Sequence, residues 1–115
     1  MSNQKQKIVY LSNAFSPGML SSYPVTVRIE QVSESEFANV VKSENVVNAI
    51  GHQGTVDFIN AKFNAKLMMN RITLKLGSGD VLYIIQLLTR LPEGKVLTSE
   101  EVANIKSVYL KITVM

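Results

Sequence analysis

At 115 residues, 46% of them hydrophobic and 18% charged, the chain has room for one hydrophobic core and not for two, so residues 1–115 read as a single domain. The absence of cysteine excludes disulfides, thiolate metal sites and cysteine nucleophiles, and a net charge of +3 with no dense basic run favours a compact anionic ligand over DNA. No apolar stretch approaches the roughly 20 residues that span a bilayer, and residues 1–7 lead into a short alternating segment, so no membrane partner and an intracellular setting are expected.

Residues 7–11 alternate as a first strand that ends at Ser12 and Asn13, types that leave sheets for turns. Residues 13–23 form a loop with a turn at Pro17-Gly18, and Met19, Leu20 and Tyr23 anchor it. Residues 25–30 alternate as a second strand. Ser33-Glu34-Ser35-Glu36 has capping-box spacing ahead of Phe37, Val40 and Val41, which predicts a short helix. Residues 46–50 are an apolar patch leading into Gly51-His52-Gln53-Gly54-Thr55. Val56, Ile59, Phe63 and Leu67 then recur at three- and four-residue steps, predicting a second amphipathic helix that His52 introduces.

Residues 70–76 alternate as a strand, Gly77-Ser78-Gly79-Asp80 is turn chemistry, and residues 81–88 are nearly all apolar, so the two segments predict a β-hairpin. The unbroken run Val81-Leu82-Tyr83-Ile84-Ile85 argues for a central strand buried on both faces, with Gln86 at its end pointing into a site. Residues 89–97 form a bent, exposed loop carrying Arg90, Pro92, Glu93 and Gly94. Thr98-Ser99-Glu100-Glu101 repeats the capping-box spacing, and residues 108–114 close the chain as a last strand. The expected fold is α/β of the α+β type, a single mixed β-sheet of about five strands flanked by short helices.

His52 is the only histidine. A helix start offers an anion unpaired backbone N–H groups and partial positive charge, and imidazole titrates near neutral pH, so the placement points to phosphate chemistry. The alternative for such a histidine is a solvated cap. Asn13 with Ser16, Arg71, and Gln86 with Arg90 and Glu93 also fall at strand ends or in adjacent loops. Each has a structural alternative: Asn13 and Ser16 can shape their turn, Arg71 can be a solvated edge residue, Gln86 can satisfy a buried backbone group, and Arg90 can pair with Glu93. One histidine and the isolated Asp57 and Asp80 give no metal-ligand spacing, and phosphate-loop, nucleophile-elbow and dinucleotide motifs are absent, so no metal and no cofactor are expected.

Taken together, Tyr10-Leu11-Ser12-Asn13-Ala14-Phe15-Ser16, Asn48-Ala49-Ile50-Gly51-His52, Asn70-Arg71-Ile72 and Arg90-Leu91-Pro92-Glu93-Gly94-Lys95-Val96-Leu97 resemble the viral ring nuclease family. These are small anti-CRISPR proteins of archaeal viruses and phages, and the resemblance covers nearly the whole chain in order. It implies a two-fold dimer in the host cytoplasm, with active sites at or near the dimer interface, that cleaves cyclic tetra-adenylate, the second messenger of type III CRISPR systems, without metal. In that reaction a ribose 2′-hydroxyl attacks its own phosphorus, the 5′-oxygen leaves, and a linear di-adenylate with a 2′,3′-cyclic phosphate results.

By this likeness His52 is the general acid, Arg90 stabilises phosphate charge, and Glu93 orients His52 or the ribose. Asn13, Ser16, Arg71 and Gln86 line the pocket, with Gly51 and Gly54 admitting the ligand to the backbone. The chain departs from well-known relatives at Gly54, where a serine hydroxyl is replaced by a bare backbone N–H. One histidine per subunit suffices if a dimer divides a symmetric ring. Two readings compete with catalysis: a binding protein that sequesters the messenger, and a protein that dimerises through sheet edges without a ligand.

Overall fold

A computed structural model describes residues 7–88 and 98–115; Arg90 and Glu93 lie outside the described residues. In chain order the elements are β1 (Val9–Ser12), β2 (Val27–Val32), α1 (Glu34–Val41), β3 (Val46–Asn48), α2 (Gln53–Phe63), β4 (Val81–Leu87), α3 (Ser99–Asn104) and β5 (Ser107–Val114). The strands form one mixed sheet in the order β2-β5-β4-β1-β3. β1 pairs in parallel with both β3 and β4, whereas β5 runs antiparallel to β4 and β2. The expected single mixed sheet of five strands is therefore what the chain builds.

Alternation along the strands divides the core in two. Leu11, Val81, Tyr83, Ile85 and Tyr109 face the helices, where they meet Phe37, Val41, Val56, Phe58, Ile59, Phe63 and Val102. Phe37 packs on Tyr109 with ring centroids 4.7 Å apart. Leu82, Ile84, Ile112 and Val114 face the other way, onto Leu20, Leu74 and Leu76. Val81 to Ile85 are buried on both faces, as the unbroken apolar run predicts for a central strand.

The predicted hairpin does not form. Both edges of β4 are occupied, by β1 and β5, so residues 70–76 cannot pair with it. Leu74 and Leu76 still point inward, covering the second face from an irregular segment. Leu76 N–H instead donates to Met19 O at 2.7 Å, and Ser21 N–H to Leu76 O at 3.0 Å. The fifth strand is β3, whose three residues read in sequence only as an apolar patch. β2 also begins two residues later than its alternation predicts, where Val27 reaches its partner Val114.

The caps explain the helix boundaries. Ser33 Oγ accepts Glu36 N–H at 3.1 Å, while the Glu36 carboxylate accepts the Tyr83 hydroxyl at 3.0 Å. Burial, that hydrogen bond and the charges of Glu36 and Glu30 push the Tyr83 phenol up to about 12. Thr98 and Glu101 complete a reciprocal capping box on α3. α2 stops at Asn64, whose φ of 53° is left-handed, so Leu67 lies beyond the helix but still packs against the core. Among the described residues no helix is long and apolar enough to cross a membrane.

Candidate functional site

β1, β3 and β4 point the same way, so their carboxyl ends share one edge of the sheet, the edge at which open α/β sheets hold ligands. β4 continues to Leu87, beyond the Ser12–Ile84 pairing at the end of β1. From the end of β3 the chain turns through Ala49, Ile50 and Gly51 into His52, the residue that caps α2.

Backbone and asparagine hydrogen bonds hold this turn. Ala49 N–H donates to Leu11 O at 2.7 Å, and Asn48 Oδ1 accepts Ile50 N–H at 3.1 Å. Asn70 N–H donates to Ile50 O at 2.8 Å, and its side-chain amide donates to Asn48 O, also at 2.8 Å. Asn48 Nδ2 in turn donates to Met68 O at 2.6 Å. These bonds lash the segment after α2 onto the turn before it, which brings Arg71 beside Gly51. Arg71 Nη2 donates to Gly51 O at 3.1 Å, and a Cβ on Gly51 would lie 3.2 Å from the Arg71 side chain. The glycine permits the arginine to pack there.

His52 has an extended backbone, φ −127°, and its Nδ1 accepts Thr55 N–H at 3.2 Å; the Thr55 hydroxyl lies 3.1 Å from the same nitrogen. An Nδ1 that accepts is unprotonated, so the proton of the neutral ring is assigned to Nε2. The histidine is thus a cap, as the structural reading holds, yet its residue remains exposed. Thr55 is buried. His52 O accepts Val56 N–H at 3.2 Å, so the helix start retains the Gln53 and Gly54 N–H groups as donors without intrahelical partners. Gln53 Nε2 donates to Asp57 Oδ1 at 2.8 Å.

Gly51, His52, Gly54 and Arg71 therefore stand together, and Asn13 follows β1 at the same edge. Arg71 does not open a strand; it lies in the irregular segment. Gln86 is exposed near the end of β4, on the loop-covered side of the sheet. Ser16 precedes the 3-10 turn Pro17–Met19 without a side-chain cap; its carbonyl accepts Met19 N–H at 3.0 Å, a turn-shaping role. Nothing among the described hydrogen bonds ties Ser16 or Gln86 to His52. Sequence reasoning missed Asn48, Asn70 and Thr55. The available signals were the position of Thr55 three residues after a candidate cap and the asparagines flanking the two site segments. Among the described residues no cluster of His, Asp and Glu could hold a metal ion.

The chain belongs to the STIV B116-like family, whose model matches residues 9–109. It is 40% identical over 95 residues to the uncharacterized protein ORF116 of Acidianus filamentous virus 1, a match covering 83% of this chain and 82% of the relative. It is 30% identical over 99 residues to the uncharacterized protein 26 of Sulfolobus islandicus filamentous virus, covering 85% and 84%. The solved structure of B116 of Sulfolobus turreted icosahedral virus is similar with a TM-score of 0.82 and 32% identity, over 92% of this chain and 98% of that one. The relatives place the chain in a family of archaeal virus proteins.

Proposed function

We propose that this chain is a metal-independent ring nuclease that cleaves cyclic tetra-adenylate and so disarms type III CRISPR signalling in the host cytoplasm. The observation that carries the reading is His52: its Nδ1 is held by Thr55 at the start of α2, and the exposed residue stands at the carboxyl edge of the sheet beside Arg71. The resemblance to viral ring nucleases supplies the substrate. Family membership in a group of archaeal virus proteins is consistent with it.

The reaction needs no protein nucleophile. The ribose 2′-hydroxyl loses its proton to solvent as its oxygen attacks phosphorus, the bond to the 5′-oxygen breaks, and His52 as imidazolium gives its Nε2 proton to the departing oxygen. Arg71 has guanidinium donors beyond the one given to Gly51, and with the Gln53 and Gly54 N–H groups it would hold a phosphate for in-line attack. Arg90 and Glu93 keep the roles the resemblance implies, phosphate charge stabilisation and orientation of His52 or the ribose. Asn13 and Gln86 would contact ribose or base, and Ser16 would support the first loop. Exposed Met68, Met69 and Ile72 adjoin Arg71 and offer apolar surface to adenine or to a second copy. In a two-fold dimer with sites near the interface, each His52 serves one of two opposite phosphates.

The test is incubation with cyclic tetra-adenylate in EDTA, denaturation, and chromatography of the products. Linear di-adenylate ending in a 2′,3′-cyclic phosphate is expected. Intact ring recovered from a tight complex identifies a sequestering protein instead, and absence of both binding and cleavage discards the reading.

A further inference from the structure

The contact between His52 and Thr55 contains more than a helix cap. Two donors of Thr55 converge on His52 Nδ1, the backbone N–H at 3.2 Å and the hydroxyl oxygen at 3.1 Å. Only one of them can reverse. A backbone N–H always donates, whereas a hydroxyl either donates or accepts. With the ring neutral, Nδ1 accepts and the proton resides on Nε2. With the ring protonated, Nδ1 carries a hydrogen and needs an acceptor, which the Thr55 N–H cannot be.

We infer that Thr55 is a positioning residue of His52, its hydroxyl turning from donor to acceptor as the imidazole takes up a proton, so that one contact holds the ring in both charge states. The inference rests on the proposed general-acid role. An acid working through Nε2 starts as imidazolium and ends, once the Nε2 proton has gone to the 5′-oxygen, as the neutral tautomer with hydrogen on Nδ1. Both states require Nδ1–H to be accepted, and among the described residues Thr55 Oγ1, at 3.1 Å, is placed to accept it. Uptake of a proton from solvent at Nε2 then restores the imidazolium. Thr55 is 6% exposed, so its oxygen is held in place while the His52 residue stays exposed. The charged side chains described on the segments beside His52 are Arg71, which donates to Gly51 O, and Asp57, which accepts from Gln53.

The chain contains a single histidine, so imidazole nitrogen–proton NMR spectra report this ring alone. The free wild-type protein is expected to show the Nε2–H tautomer when neutral and, when protonated, an Nδ1–H resonance protected from solvent exchange. Thr55→Ser should keep that protection, while Thr55→Val and Thr55→Ala should lose it, each variant being checked by its thermal melt. A neutral ring with hydrogen on Nδ1, or equal Nδ1–H protection in all four proteins, overturns the inference. In single-turnover cleavage, Thr55→Val is expected to slow the chemical step on the order of tenfold to a hundredfold, with ring affinity within about twofold and Thr55→Ser near wild type. Unchanged cleavage by both Thr55→Val and Thr55→Ala overturns the inference alone. Absence of wild-type cleavage with the NMR pattern intact overturns the functional reading, and the positioning role with it, but not the hydrogen bond.

Discussion

The two ends of the sheet use polar side chains in opposite ways. At the amino end of β4, Asp80 is completely buried, and its two carboxylate oxygens accept Ile8 N–H at 3.2 Å and Gly77 N–H at 2.8 Å. Its backbone is tied as well: Asp80 N–H donates to Gly77 O and Asp80 O accepts Val114 N–H, both at 3.0 Å. At the carboxyl edge, His52 and Arg71 are exposed, and each commits one atom to the fold while leaving others open to solvent. Burial explains the difference. An unsatisfied buried polar group costs about 1–3 kcal/mol, so an enclosed carboxylate must commit both oxygens, whereas water satisfies surplus donors at an exposed edge. The enclosed end is a latch, and the open end is where chemistry can happen.

His52 is where the contrast between the two ends breaks most visibly. His52→Ala should slow ring cleavage roughly 10²–10⁴-fold, about 3–5 kcal/mol of barrier, with ring binding retained. Loss of the cap should lower stability by only about 1 kcal/mol. Single-turnover kinetics beside a thermal melt measure both, and rapid cleavage by the variant would make His52 a latch of the same kind as Asp80. The second test inverts the pattern. Asp80→Asn places an amide where an oxygen accepts a backbone N–H, so stability should fall by about 2–3 kcal/mol, roughly 10 °C in Tm for a chain of this size, while cleavage well below the melt is unchanged. A loss of activity without a loss of Tm would tie the two ends together functionally.

The smallest effect probes how Arg71 is held. Gly51→Ala sets a Cβ 3.2 Å from the Arg71 side chain and 3.3 Å from its Cα, so the arginine must shift. Stability should drop by about 1 kcal/mol and ring affinity by roughly tenfold, read by titration with the catalytic step followed separately. Unchanged affinity would remove Arg71 from the ligand contacts.

Local chemistry was legible where neighbours in sequence are also partners in space. Thr98 and Glu101 form their capping box, Val81 to Ile85 become the central strand, and His52 starts the helix its surroundings predict. Asp80 was legible only as a turn residue, because nothing local reveals that Ile8, 72 residues away, donates to it. Ser33 and Glu36 have the same spacing as Thr98 and Glu101, yet the Glu36 carboxylate accepts from Tyr83, a partner 47 residues distant. Residues 70–76 alternate like a strand but find both edges of β4 taken, while β3, too short to show a period, takes the fifth place in the sheet.

Sequence by itself determined which segments have an apolar face, where helices begin, and that a single imidazole stands at a helix start between glycines. Those are properties of side chains a few residues apart, and the periods of strand and helix express them directly. Only the tertiary structure decided which edges of β4 were taken, that Asp80 is enclosed, and that Asn48 and Asn70 bring Arg71 to Gly51 beside His52. Edge occupancy and burial depend on the whole chain at once, since a hydrogen-bonding group counts as satisfied or free only after every competing partner has found its place.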